Sequence, residues 1–427
     1  MSHSSECILV LRLINPEEFE KVMRDAIELA DGVVEPSVAD EMKNCESEYD
    51  WDDPLFSMEM SQIDMVVVTE LGGNILVRGL QGNIFYGGQQ MPICEIELKS
   101  ICGKKAAFYK FAALLSENNA LHLEMRSLYE RGMIMANQPS LPNNEQSGVK
   151  LDQNNPANEE LRKVLINYLG QIAQMEGQYL SKPEDPENLH HLRVKIRQLR
   201  SLLSLASPLF IQDAYHMRLD SARKYGQIFA RMRELDVLQA EWIHIHGKEL
   251  TLIDNEREKE KRLIHSALSK GVPTPILLNI WAWLYEENCF IKESEKMKLN
   301  QFLKRRLRRW LRNIRSDYET FADMDQRAIH ALRIRCKKMR YVLECFNGKL
   351  TSHNTNRRII ELKEMQDKLG ILCDSKRNIV LIDTITEHER IKGLNGETSF
   401  FKGYQACKYE MLREHLAKSN PNKSFLS

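Results

Sequence analysis

Residues 190–200 read HHLRVKIRQLR, and residues 330–340 read HALRIRCKKMR. Each stretch opens with a histidine and then places basic residues three, seven and ten positions later. On an α-helix these offsets fall in a stripe about 80° wide that runs along about 15 Å of the axis. The repeat therefore predicts two equivalent helices with one cationic face each, formed by His190, Arg193, Arg197, Arg200, His330, Arg333, Lys337 and Arg340.

Apolar residues occupy matching offsets on the opposite faces of both predicted helices. They are Leu192, Ile196, Leu199 and Leu203 in the first copy, and Leu332, Cys336, Met339 and Leu343 in the second. Solvated helix faces usually mix acids with bases, yet neither stripe contains an acid. Like charges at this spacing cost roughly 0.2–0.5 kcal/mol per pair, so a bound anion that relieves the repulsion is favoured over a merely solvated face.

A third cationic stripe follows the same offsets in FLKRRLRRWLRNIR, residues 302–315. Arginine dominates all three stripes, and its planar guanidinium can hold phosphate oxygens in pairs. We therefore expect three acid-free helix faces to line a common groove for an extended polyanion with many phosphates. The third stripe would contribute Arg305, Arg308, Arg312 and Arg315.

Composition sets the broad class of the protein. The 427 residues contain 60 Lys and Arg and 60 Asp and Glu, so the formal net charge is zero. A locally positive surface therefore requires that the basic residues cluster in one place. Nine scattered cysteines without a CxxC pair predict neither a disulfide framework nor a structural zinc site. The sequence offers neither a signal peptide nor an apolar stretch of membrane-spanning length. A cytoplasmic protein is expected.

The chain divides at residues 136–158, which are rich in Asn, Gln, Pro and Ser and are typical of a linker. Residues 1–135 mix strand-like segments such as ICEIELKS with two helical patterns, and predict a small α+β domain. Residues 159–420 have helical periodicity almost throughout, with the duplicated halves at about 159–270 and 290–415. The predicted fold is mainly α.

We call the two sets of four basic residues, at 190–200 and 330–340, the first and second ladders. The two ladders resemble the paired signatures of the conserved histidine α-helical domain, CHAD. RMRELDVL (231–238) and LKEMQDKLGILCD (362–374) resemble two further segments of that family, with Glu234 where the first carries Asp. The resemblance implies two pseudo-symmetric helical bundles around a basic cavity. It also implies that inorganic polyphosphate is the ligand, that no cofactor is required, and that the protein can associate with polyphosphate granules.

The N-terminal region resembles the distal half of a CYTH domain, the triphosphate tunnel fold, through CEIELKS and MRSLYERGM (125–133). In that family, strand glutamates hold a divalent metal, and Glu95, Glu97 and Lys99 share one strand face here. The family's opening Glu-x-Glu-x-Lys strand is replaced by Ile8, Val10 and Arg12, and aliphatic side chains cannot ligate a hard cation. We expect a shortened tunnel domain without catalysis.

The sequence therefore predicts a non-catalytic polyphosphate-binding protein with no metal and no membrane partner. One alternative is an inorganic triphosphatase that uses Glu95, Glu97 and Lys99 with Mg²⁺ or Mn²⁺. Another alternative is a nucleic-acid-binding module, because arginine stripes also contact phosphodiester backbones. Nucleic acid is the less favoured ligand, since Trp310 and Tyr341 are not interleaved with the arginines for base stacking.

Overall fold

The computed structural model describes residues 7–30, 32–34, 55–69, 73–138, 149–347, 355–387 and 394–418. In this part of the chain a small sheet region precedes a long series of helices, so the predicted fold class is confirmed. Most of an acidic segment, residues 33–54, lies outside the described residues, as does the middle of the predicted linker. The exact domain boundaries stay a prediction.

Six antiparallel strands form the sheet of the N-terminal region, in the order β2-β3-β4-β5-β1-β6. The strands are β1 (Ile8–Leu13), β2 (Gly32–Val34), β3 (Ser57–Thr69), β4 (Gly73–Tyr86), β5 (Gln89–Cys102) and β6 (Leu121–Glu124). Gly87 and Gly88 join β4 to β5 with φ of 56° and 77°, a left-handed pair that a tight hairpin requires. The helices of this region are α1 (Phe19–Glu28), α2 (Lys105–Asn118) and α3 (Leu128–Met135).

Ten further α-helices make up the described part of the helical region. They are α4 (Ala157–Ser181), α5 (Pro186–Ala206), α6 (Gln212–Gln227), α7 (Ala230–His246), α8 (Thr251–Ser269), α9 (Pro273–Tyr285), α10 (Leu299–Glu319), α11 (Gln326–Cys345), α12 (Thr355–Thr386) and α13 (Leu394–Lys418). The two ladders lie on α5 and α11. Both helices start at an aspartate cap: Asp185 accepts a hydrogen bond from the Glu187 amide, and Asp325 accepts one from the Ala328 amide.

The apolar faces of α5 and α11 are buried, as their periodicity predicts. Leu192 and Leu203 on α5 and Leu332 and Cys336 on α11 have no exposed surface. Their burial fixes the rotation of each helix, because turning either one would bring charge into the core. The cationic faces are therefore turned away from the core and toward each other.

The sheet region and the helical region share one continuous hydrophobic core. Helix α2 packs against α9, where the ring of Tyr109 lies parallel to the rings of both Trp281 and Tyr285, with centroids 5.4 Å apart in each case. Asn279 donates a hydrogen bond to Glu117 across the same boundary, at 3.0 Å. The N-terminal region is thus fixed on the helical region by side-chain packing as well as by the chain connection.

The end of the predicted linker is held by backbone hydrogen bonds. The amide of Ala157 donates to the carbonyl of Met297 at 2.8 Å, and the amide of Leu299 donates to the carbonyl of Asn155 at 2.9 Å. Residues 155–157 therefore form a short bridge to the start of α10. This part of the linker belongs structurally to the helical region.

A buried polar triad also joins the two regions. The hydroxyl of Tyr225 on α6 donates to Glu176 on α4 at 2.5 Å, and the Nδ1 atom of His122 on β6 lies 3.7 Å from the other oxygen of the same carboxylate. Burial, followed by the charge of Glu176, raises the pKa of Tyr225 well above its ordinary value. The phenol is therefore neutral and acts as a donor.

Replacing the carboxylate of this triad should destabilise the fold. We expect Glu176→Ala to lower the free energy of unfolding by about 1–3 kcal/mol, because the Tyr225 hydroxyl would be left buried without a partner. Urea denaturation measures the loss. Tyr225→Phe is the matched control: combined with Glu176→Ala it should cost less than the sum of the two single changes. Strict additivity would show that the hydrogen bond contributes nothing.

Candidate functional site: a basic cavity between the two halves

Helices α5, α7, α11 and α12 enclose a cavity of about 1330 Å³. Ten Lys and Arg side chains line it, against four carboxylates. The ten cations come from all four helices and define the basic cavity: Arg193, Arg197, Arg231, Arg233, Arg327, Arg333, Lys337, Arg340, Lys376 and Arg377. A chain that is neutral overall thus concentrates positive charge at one place.

Seven of the eight ladder residues line the basic cavity, which brings the two sequence repeats together. The first ladder supplies His190, Arg193 and Arg197, and the second supplies His330, Arg333, Lys337 and Arg340. Arg200, the last residue of the first ladder, lies in a smaller neighbouring pocket instead. The two halves therefore contribute equivalent residues to one site, except at the final rung.

The third stripe takes a different position. Arg305, Arg308, Arg312 and Arg315 are exposed, and no described residue of α10 lines the basic cavity. Arg306 helps to orient this helix, because its guanidinium donates to the carbonyls of Ser204 and Leu205 at the end of α5. The expected common groove therefore contains two stripes, and the third faces outward.

Some cavity cations have carboxylate partners. Arg340 donates to Glu344 at 2.5 Å and to the amide oxygen of Gln366 at 3.0 Å. Arg377 on α12 donates to Glu234 on α7, which ties two walls of the cavity together. These pairs hold the walls in place and leave their remaining N–H groups for other acceptors.

Three other basic residues of the cavity have no carboxylate partner in the part of the chain that the structure describes. Among the described residues, no carboxylate lies within 4.0 Å of the charged groups of Arg193, Arg197 or Lys337. Arg193 retains only 7 % of its surface exposed. Asp236 offsets part of the charge of Arg193 from beyond ion-pair distance. A buried guanidinium without a paired carboxylate is costly, which indicates that the cavity is shaped for an anion supplied from outside.

Two buried donors in the wall also lack acceptors. The Nε atom of Arg333 and the amide nitrogen of Asn378 are buried without a hydrogen-bond partner in the described part of the chain. Both residues line the basic cavity. Each unsatisfied donor costs about 1–3 kcal/mol, and because neither atom is open to the cavity a ligand can reach it only if the side chain moves. Gly370 sits beside Arg333, where a Cβ would lie 3.5 Å from its Nε atom.

Burial, and then the charges of neighbouring cations, lowers several pKa values in the cavity. Burial, and then the charges of Arg197, Arg333, Arg340 and Arg193, lowers the pKa of Lys337 from 10.5 to about 6. Burial lowers the pKa of Arg193 to about 10, with contributions from Arg197 and Arg233. The pKa values of His190 and His330 are lowered in the same way, first by burial and then by Arg193 and Arg333 respectively.

Several cavity residues lie outside the two ladders. Arg231 and Arg233 on α7, and Lys376 and Arg377 on α12, were absent from the sequence-based set. The signal for them was the pair of segments RMRELDVL and LKEMQDKLGILCD, because the four cations lie within or just after these segments. Their importance comes from the packing of α7 against α12, which periodicity cannot reveal.

The residues of the triphosphatase alternative lie on β5, and two of them are engaged by arginines. Glu95 is buried and accepts two hydrogen bonds from Arg131 on α3, at 2.7 and 2.9 Å. Glu97 pairs with Arg78 at 3.3 Å. Lys99 lies two residues further along β5 and is partly exposed. In the described part of the chain, no three His, Cys, Asp or Glu side chains are grouped so that they could hold a metal ion.

Comparison with known proteins identifies the family. The sequence model of the CHAD domain matches residues 163–382, so the chain belongs to the CHAD domain family. The crystal structure of the CHAD domain from the plant Ricinus communis is similar in fold, with a TM-score of 0.51 and 21 % identity. That match covers 64 % of this chain and 95 % of the plant domain.

A second solved structure, PptA from Streptomyces chartreusis, matches with a TM-score of 0.46 and 13 % identity over 61 % of this chain and 98 % of that protein. No curated protein matches the sequence. The family match begins at residue 163, so the resemblance of the N-terminal region to a CYTH domain stays a prediction. None of the described helices combines the length and the apolar character that crossing a membrane requires.

Proposed function

We propose that the protein binds inorganic polyphosphate in the basic cavity and does not hydrolyse it. The observation that carries the proposal is a set of three basic cavity residues, Arg193, Arg197 and Lys337, which have no carboxylate within 4.0 Å among the described residues. A polyphosphate chain carries closely spaced negative oxygens and could contact both ladders at once. The resemblance to the CHAD family implies the same ligand.

The chemistry of the lining favours a condensed phosphate over orthophosphate. The cations lie on four helices, so one small ion can reach only a few of them, whereas a chain can neutralise many. Arginine is the main cation, and its N–H groups match pairs of phosphate oxygens.

Nucleic acid fits the cavity less well. Tyr341 is the one Phe, Tyr or Trp among the described lining residues, and it is buried. Its ring lies 4.6 Å from the guanidinium carbon of Arg340. Bases need exposed aromatic rings on which to stack, and the described lining residues include no exposed Phe, Tyr or Trp. A phosphate chain without bases does not need such stacking partners.

Binding should increase with chain length and weaken steeply with salt. We expect long-chain polyphosphate to bind more tightly than tripolyphosphate, and tripolyphosphate more tightly than orthophosphate, because longer chains meet more cations. Neutralising several phosphates releases counterions, so affinity for the long chain should fall most as NaCl rises. Titration calorimetry at several salt concentrations measures both trends. Equal affinity for orthophosphate and long chains would contradict the proposal.

Two further measurements separate the alternatives. A single-stranded RNA of equal charge should compete poorly with polyphosphate, and equal affinity per phosphate would favour the nucleic-acid alternative. Incubation of tripolyphosphate with the protein and Mg²⁺ or Mn²⁺ should release no orthophosphate. If release occurred and Glu97→Ala abolished it, the triphosphatase alternative would replace a purely binding role.

A further inference from the structure

A second pocket of about 220 Å³ opens beside the basic cavity, between α5 and the α6–α7 junction. We call it the side pocket. Four arginines and no carboxylate are among its lining residues, which include Arg193, Arg197, Arg200, Arg223, Gly226 and Phe229. Arg193 and Arg197 line both spaces, so the side pocket continues the basic cavity along α5.

The arginines of the side pocket run from a buried one, Arg193, through the half-buried Arg197 and Arg200 to the exposed Arg223. Arg193, with 7 % of its surface exposed, has no carboxylate within 4.0 Å among the described residues. Arg223 is held by Asp220 at 2.7 Å through one nitrogen of its guanidinium, which leaves its other N–H groups for a ligand. The side pocket thus repeats the chemistry of the basic cavity on a smaller scale.

Gly226 keeps this space open. A Cβ at that position would lie 3.1 Å from the Nη1 atom of Arg200, so a larger side chain would displace the guanidinium or fill the pocket. Lys338 on α11 lies close enough to Arg200 and Arg223 that their charges, after burial, lower its pKa. The positive field therefore extends from the basic cavity through the side pocket toward the outer surface of α5.

We propose that a polyphosphate chain bound in the basic cavity continues past Arg193 and Arg197 into the side pocket, where Arg200 and Arg223 hold the next phosphates. This inference rests on the proposed function. It gives a role to Arg200, which lies outside the basic cavity although the equivalent Arg340 lines it. The side pocket then distinguishes chains that extend beyond the basic cavity from those that fit inside it.

The test compares two ligand lengths with one double variant. Arg200→Gln/Arg223→Gln should weaken long-chain polyphosphate by about tenfold or more, because two charge-assisted contacts are lost. Tripolyphosphate should be affected less than about threefold, since it fits within the basic cavity. Arg24→Gln/Arg262→Gln is the matched control: it removes two exposed arginines of α1 and α8 that line neither pocket. It should leave both affinities nearly unchanged.

A second variant blocks the side pocket without changing charge. Gly226→Leu should also weaken the long chain selectively, and circular dichroism should show retained helix. Equal weakening of both ligands, or no weakening of the long chain in either variant, would overturn the side-pocket proposal while polyphosphate binding itself stands. If the unaltered protein bound neither ligand, the proposed function and the side-pocket proposal would fail together.

Discussion

Arg193→Glu/Arg333→Glu is expected to weaken the binding of long-chain polyphosphate by about a thousandfold or more, because each change removes a charge-assisted contact and adds repulsion. The two residues come from equivalent rungs of the two ladders and face one cavity. The fold should survive, since a carboxylate at position 193 would face the charges of Arg197 and Arg233. Titration calorimetry and circular dichroism measure the two properties.

The control for this variant carries the same change in net charge elsewhere. Arg24→Glu/Arg262→Glu alters two exposed arginines outside the basic cavity. It should reduce affinity only slightly, and the reduction should vanish as salt is added. If the cavity variant bound the long chain as well as the unaltered protein does, the two ladders would not form the binding site.

Lys337 is expected to make polyphosphate binding depend on pH. Its pKa of about 6 in the free protein means that it is largely neutral at pH 8. A bound polyanion favours the charged form and raises this pKa, so binding takes up a proton. Affinity should rise as pH falls from about 8 to about 6, by up to about tenfold per pH unit. Calorimetry in buffers of different ionisation enthalpy measures the proton uptake directly.

Lys337 should also reduce the stability of the free protein. Because its folded pKa is below the unfolded value of 10.5, the unfolded state binds the proton more tightly and stability falls as pH drops from about 10 to about 6. We expect Lys337→Met to raise the free energy of unfolding at pH 7 by about 1–3 kcal/mol while it weakens binding. This gain should shrink toward pH 10.

Lys337→Arg separates charge from titration. Arginine stays protonated across this range, so the variant should bind polyphosphate well but take up less proton. His190 and His330 would then account for the remaining pH dependence, below about pH 6.5, because their own pKa values are lowered. An unchanged proton uptake in both Lys337→Met and Lys337→Arg would show that Lys337 is not the group that titrates.

The sequence predicts correctly those features that depend on a single helix. The direction of the ladder side chains follows from the burial of Leu192 and Leu332 on the opposite faces, and helical periodicity is sufficient to predict it. It also predicted that the two halves match. The low pKa of Lys337 could not be predicted from the sequence, because it depends on burial and then on arginines of two different helices.

The features of the site that the sequence did not predict depend on tertiary packing. Nothing in the spacing of Arg305 and Arg308 indicates that α10 turns them outward, since that orientation follows from how α10 packs against α4 and α11. The pairing of Glu95 with Arg131 joins β5 to α3, two elements whose contact the sequence does not specify. Arg200 leaves the basic cavity for a similar reason, because α6 rather than α12 lies beside that end of α5.

The stacking of Tyr109 on Trp281 and Tyr285 joins the sheet region to α9 of the helical region. Because the two regions share a core, a ligand that stabilises the helices also opposes separation of the sheet. The indole of Trp281 lies at this junction and is therefore a natural optical reporter of cooperative melting. Of the four helices that line the basic cavity, α5 packs into this shared core, whereas most apolar residues of α7, α11 and α12 form two separate clusters. We therefore expect α5 to be the element through which a ligand in the cavity stabilises the sheet.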